Sequence, residues 1–336
     1  MTEVPTSDAT DGATVNDTND AALTAETTAA ALPAKSADAA ARREPSTALR
    51  VLAELAGSFL LCLGIYAFYT VGTAIFGLDM AYLTLSTALI YATVTLLFSP
   101  ISGAQLNPAV TLAAMLTGRT RPVTGILSII VQVIGAIGAA ASLKFLLPTS
   151  DTITNKVWMT PVTNGFGKGA VFNTTLTSVG ITFGTTLAIV VELAAGIIIV
   201  ATAMRTIGRD GRADALHAPA MGLAYGVGAA MAYPVTGAGL NPARSTGIAL
   251  FARNQGLAVD PLQQLWLFWV CSALAAAIVA FVMIAVQMAH DAADRKAKRL
   301  AQEAKRHADA DSAADGISAA GTRASGVEPG TSGAIV

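Results

Sequence analysis

One eight-residue stretch occurs twice in this chain, and each copy interrupts a series of apolar segments. Gly103-Ala104-Gln105-Leu106-Asn107-Pro108-Ala109-Val110 returns 134 positions later as Gly237-Ala238-Gly239-Leu240-Asn241-Pro242-Ala243-Arg244, with six of the eight positions unchanged. In each copy Asn stands directly before Pro. Proline is favoured at the first position of a helix, where its missing N–H would be unpaired anyway, so Asn107 and Asn241 read as N-caps. A single Asn-Pro is an ordinary turn or cap. Two copies in matching surroundings ask for a shared purpose.

The flanks supply it. Segments 49–75, 82–98, 123–147, 181–204, 216–233 and 265–288 are each long enough, at 1.5 Å per residue, to cross or nearly cross a hydrocarbon core of about 30 Å. The runs opened by the two Asn-Pro-Ala boxes, 108–117 and 242–252, are too short to span. Irregular backbone at membrane depth is tolerated only where protein buries it or where it lines a water-filled cavity. Two half-helices in corresponding places of two halves therefore point to a site at the midplane.

From about residue 48 to 289 the chain resembles the aquaporin family, the major intrinsic proteins. The residues that carry the resemblance are Ser102-Gly103-Ala104-Gln105-Leu106-Asn107-Pro108-Ala109-Val110-Thr111 and Asn241-Pro242-Ala243-Arg244-Ser245. It implies an all-α membrane protein with six transmembrane helices and two re-entrant half-helices in two inverted repeats. On that reading residues 1–46 are a disordered tail, 47–147 the first repeat, 148–180 an extracellular connection, 181–289 the second repeat and 290–336 a second tail, partly helical and disordered beyond about 310. The resemblance further implies a homotetramer in the cell membrane.

Composition agrees with a polytopic chain: 53% of residues are hydrophobic and 13% charged, too apolar for an ordinary soluble domain of this size. Only 17 of the 43 formally charged side chains fall between Val51 and His290. A net charge of −1 offers no basic face for nucleic acid. Cys62 and Cys271 both fall inside apolar segments and read as small buried hydrophobes. Lys and Arg in short loops mark the cytoplasmic side. Arg42, Arg43 and Arg50, then Arg119 and Arg121, Arg205, Arg209 and Arg212, and finally Arg295, Lys296, Lys298 and Arg299 all fall on one side if six helices alternate. Both termini are then cytoplasmic. Asn164-Gly165-Phe166-Gly167-Lys168-Gly169 in the long connection lacks the strand and helix of a phosphate loop and reads as plain loop.

Charges inside membrane segments are costly and usually functional. Away from the segment ends three are present: Glu54, Glu192 and Arg244. Glu54 precedes Asn107 by 53 residues and Glu192 precedes Asn241 by 49, so the two carboxylates hold corresponding places. Taken singly they could serve a proton relay; mirrored, they fit acceptors for the backbone N–H groups of the two re-entrant loops, the role the resemblance implies. Arg244 has no counterpart in the first box, where Val110 stands. A salt bridge to Glu54 or Glu192 is one reading of it; the resemblance implies the cationic member of a narrow filter.

Each half-helix directs about half a positive charge from its N-terminus toward the midplane. Asn107 and Asn241 can cap their helices through the side-chain oxygen and offer the amide NH₂ to the lumen. A water held there presents its oxygen to both amides, which breaks a continuous proton wire, while the positive field repels cations. No metal, nucleophile or cofactor is required, and no enzyme activity is expected. Gapless alignment from the boxes places the family's filter at Thr87, Ala229, Ala238 and Arg244. Thr87 and Ala229 are small where water-selective members carry Phe and His, so a widened mouth is expected. Ser245, Ala249 and Trp266-Leu267-Phe268-Trp269 resemble water channels instead, while Pro100 and Gln105 depart from them. The expected function is passive water conduction, with a broader pore for glycerol, urea, ammonia or undissociated weak acids as the alternative. An ion-coupled transporter would need a free titratable group at the midplane. His217, His290 and His307 lie outside it, and His217 reads as an exposed loop histidine.

Overall fold

The computed structural model describes residues 45–77 and 79–324, so the sequence reading of residues 1–44 and 325–336 lies outside it. Every regular element among the described residues is helical, apart from one isolated bridge between Ile207 and Ala213. The long helices are α1 (Thr47–Phe76), α2 (Met80–Ser102), α4 (Pro122–Leu146), α5 (Thr185–Thr206), α6 (His217–Thr236) and α8 (Pro261–Ala324). Two short ones, α3 (Pro108–Leu116) and α7 (Pro242–Ala252), begin at the two Asn-Pro-Ala boxes.

Their ends follow from local chemistry. The Ser46 hydroxyl accepts from Leu49 N–H at 3.2 Å, and Asp79 accepts from Ala81 and Tyr82 N–H at 2.8 and 3.1 Å. Such caps satisfy first-turn donors that have no partner within the helix. At the other end, α2 and α6 stop in the same way. Pro100 and Pro234 stand in their last turns, and Gly103 and Gly237 follow at φ of 85° and 72°, the left-handed conformation that glycine adopts without cost.

Five helices, all but α6 of the long ones, are long and apolar enough to cross a membrane by length and composition. The 216–233 segment forms α6, whose Gly, Pro, His and Tyr content dilutes its hydropathy and whose positions are mostly buried among the other helices. Small residues let these helices approach closely. Gly222 and Gly226 of α6 face Ala88 and Ala92 of α2, Gly135 of α4 faces the Leu55 carbonyl of α1, and Gly247 of α7 faces the Ala136 carbonyl. Leu85, Leu89, Leu96, Leu223 and Phe281 are exposed on the outer surface, as hydrocarbon contact permits.

Two features differ from the sequence expectation. Helix α8 runs to Ala324 instead of ending near residue 310; Ala, Lys, Arg and Glu in its distal half are strong helix formers. The 148–180 connection is not plain loop. It contains short helices at Asn155–Met159 and Asn173–Ser178, and its centre folds inward: Val162, Thr163 and Asn164 are buried.

Candidate functional site

The two boxes, far apart in sequence, meet. Asn107 Nδ2 donates to the Leu240 carbonyl at 2.9 Å, and Asn241 Nδ2 donates to the Leu106 carbonyl at 2.8 Å. Each side-chain oxygen caps its own half-helix: Asn107 Oδ1 accepts from Ala109 N–H at 2.8 Å, and Asn241 Oδ1 from Ala243 N–H at 3.0 Å. Pro108 and Pro242 occupy the first helical position in each. The N-termini of α3 and α7 are thereby brought tip to tip with their positive ends together.

The preceding loops are held in an unusual conformation. Ala104 and Leu106 have φ of 47° and 50°, and Ala238 and Leu240 have 56° and 54°, a region that L-residues rarely enter. Backbone in this state persists only where its surroundings over-determine it. Here two buried carboxylates supply the constraint. Glu54 accepts from Gln105 N–H (3.0 Å), Leu106 N–H (2.7 Å), Ser102 Oγ (2.6 Å) and Gln132 Nε2 (2.7 Å). Glu192 accepts from Gly239 N–H (2.8 Å), Leu240 N–H (2.9 Å) and the Thr236 hydroxyl. All these donors come from the carboxylate's own repeat.

The second loop has one position that the first does not share. A Cβ on Gly239 would collide with the Phe268 ring and approach Glu192 Oε1, whereas Gln105, its counterpart, points to Thr120 Oγ1 at 2.6 Å. A Gly239→Ala variant should lose about 1–3 kcal/mol of stability by overpacking, measured as a lower melting temperature in detergent. An unchanged melting temperature would mean that Phe268 does not press on this loop.

Arg244, 2% exposed, forms no ion pair with Glu54 or Glu192 and lies among oxygens. Its Nη1 donates to Ala238 O at 2.6 Å, to Asn164 Oδ1 at 2.7 Å and to Gly237 O at 3.4 Å, and its Nη2 donates to Val162 O at 3.4 Å. Asn164 is itself fixed by Gly237 O, which accepts from its Nδ2 at 2.7 Å, and by the Ser245 hydroxyl at 2.9 Å. The inward fold of the long connection thus orients the guanidinium. Asn164 was passed over in the sequence because its glycine-rich surroundings look like any loop.

The small residues expected at a widened mouth have an aromatic neighbour that the filter alignment did not include. Thr87, Ala229 and Ala238 are 2%, 1% and 2% exposed, and a ring from α1 lies against Thr87. Tyr69 OH lies 2.9 Å from Thr87 Oγ1, and the Arg244 guanidinium carbon lies 5.2 Å from the Tyr69 ring centre, within cation–π range. Tyr233, one turn after Ala229, meets Tyr69 edge to face at 5.1 Å. Tyr69 shares the buried face of α1 with Cys62, Ile65 and Tyr66, and it lies within a single π-turn at Phe68–Gly72, a distortion common at functional sites. Tyr66, on the same helix, donates to the Arg244 carbonyl at 2.6 Å.

Two more tyrosines meet the boxes at the centre. Tyr225 OH accepts from Asn107 Nδ2 at 2.6 Å, and Tyr91 OH accepts from Asn241 Nδ2 at 3.5 Å. Both stand sixteen residues before an Asn of the boxes, so the internal repeat relates them. His217 also departs from expectation. It is fully buried at the first position of α6, with Nδ1 2.7 Å from Thr206 Oγ1.

Comparison with known proteins bears on this arrangement. Residues 41–283 match the family model described as Major intrinsic protein. The chain is 33% identical to "Aquaporin Z" of Photorhabdus laumondii over 66% of its own length and 90% of that protein. It is 32% identical to "Aquaporin-1" of Rattus norvegicus, over 61% and 68% respectively. Among solved structures, the aquaglyceroporin from Plasmodium falciparum superposes with a TM-score of 0.53 at 18% identity, covering 70% of this chain and 94% of that one, a likeness of fold. With that family match and the helical architecture, the chain belongs to the major intrinsic protein family, a family of multi-pass membrane channels.

Proposed function

We propose that this protein conducts water passively down an osmotic gradient in the cell membrane and excludes ions and protons. The observation that carries the reading is the meeting of two Asn-capped helix N-termini beside a buried, fully oriented Arg244. Positive ends of two helices and a guanidinium repel cations along one path, while neutral water meets no such barrier. In this reading Asn107 and Asn241 organise the centre, Arg244 with Thr87, Ala229 and Ala238 forms the filter, and Glu54 and Glu192 support the two loops. Pro108, Ala109, Pro242 and Ala243 shape the half-helix starts. Both termini are cytoplasmic by the distribution of basic loops, the repeats span 47–147 and 181–289, and four copies assemble.

Small neutral solutes remain the second reading, favoured by the small Thr87 and Ala229. Tyr69 weighs toward water, since its hydroxyl meets Thr87 and its ring faces the Arg244 guanidinium, which adds bulk beside the filter. Stopped-flow osmotic measurements on proteoliposomes test both. Water permeability should exceed that of empty liposomes, glycerol and urea should stay at the empty-liposome level, and Tyr69→Ala should admit glycerol. Glycerol flux in the parent comparable to its water flux would favour the broader pore.

A further inference from the structure

The centre of the junction holds a repeat-related aromatic pair. Tyr91 lies on α2 of the first repeat and Tyr225 on α6 of the second, both 1–2% exposed, with ring planes 8° apart and centroids 3.2 Å apart. Their bonding is crossed: the first repeat's Asn107 donates to Tyr225, and the second repeat's Asn241 donates to Tyr91. The remaining N–H of each amide goes to the backbone carbonyl preceding the opposite Asn. Three of the four amide hydrogens have close partners within the protein, and the fourth faces Tyr91 OH at 3.5 Å. Two stacked rings thus stand directly beside the amides.

We infer that Tyr91 and Tyr225 are the residues that limit permeation, forming a constriction at the half-helix junction in addition to the Arg244 mouth. The inference rests on the channel reading above and names the residues that set its rate. Stacked phenols are flat and filled with carbon, so water passes only beside or between them, and any file must exchange hydrogen bonds with the two hydroxyls. Each phenol oxygen accepts an amide hydrogen and keeps its own hydrogen to donate. Neighbouring waters on either side then accept from the phenols and turn their hydrogens away from the centre, so the break in the proton wire persists.

The test compares water permeability per copy, by stopped flow in proteoliposomes, for the parent, Tyr91→Val/Tyr225→Val, Tyr91→Phe/Tyr225→Phe and Tyr69→Ala. Removing both rings opens the space that they fill and should raise water permeability by about tenfold. The Phe pair keeps the rings and loses only the hydroxyls, so its increase should be smaller than that of the Val pair. Tyr91→Ile and Tyr225→Ile singly provide the same readout if the double variant does not fold, each with a smaller increase. Equal flux in the parent and the ring-less variants, with or without a rise in Tyr69→Ala, would overturn the inference and leave the channel reading intact. Folded parent and variants all indistinguishable from empty liposomes would instead overturn the channel reading, and with it this inference.

Discussion

Vesicles carrying Arg244→Val should pass sodium ions and protons that the parent excludes. A unit charge about 4 Å from a permeating cation opposes it by about 4 kcal/mol at an effective dielectric of about 20, or about a thousandfold in rate. Part of that barrier survives in the variant, because the half-helix N-termini remain; a rise of about tenfold or more in cation leak is the expected result. The backbone should tolerate the change. Tyr66 donates to the Arg244 carbonyl, not to its side chain, and Asn164 Oδ1 keeps the Ser245 hydroxyl as a donor. Arg244→Lys keeps the charge on a differently shaped head group, so it should leak less than the Val variant. Sodium and proton conductance at background in Arg244→Val would show that the helix termini exclude cations unaided.

Glu54→Gln and Glu192→Gln should act on folding before they act on selectivity. Each carboxylate accepts two backbone N–H groups from a loop whose residues sit at positive φ. An amide NH₂ placed against those donors leaves at least one unpaired, at about 1–3 kcal/mol each. At about 2–4 °C per kcal/mol for a chain of this order of size, the melting temperature in detergent should fall by about 5–10 °C, with lower folded yield. Glu54 should be the more sensitive, since Gln132 Nε2 and Ser102 Oγ also depend on it. A normal melting temperature with an increased proton leak would assign the carboxylates to proton transfer.

The internal repeat made much of this legible. Asn-Pro twice, apolar segments of spanning length on either side and two carboxylates at similar offsets before the boxes indicate the membrane class, the half-helices and their supports. These are local or periodic signals: N-cap chemistry, proline at the first helical position and hydrophobic length act through neighbours in the chain. The same register held Tyr91 and Tyr225, sixteen residues before each Asn, although aromatic residues in apolar helices are so commonly core that the pair did not stand out.

What filled the space was decided elsewhere. Small residues at Thr87 and Ala229 imply an open mouth only if nothing else enters. Tyr69 enters from α1, on the buried face that it shares with Cys62, Ile65 and Tyr66. Asn164 reaches Arg244 because a connection that reads as loop folds back over the helix ends. The sequence by itself determined which residues cap, which carry charge and which segments face lipid. Only the tertiary structure decided the bore, because the width of a passage is the volume left over by side chains from several helices, and a sequence read one segment at a time cannot sum volumes contributed from residues far apart in the chain.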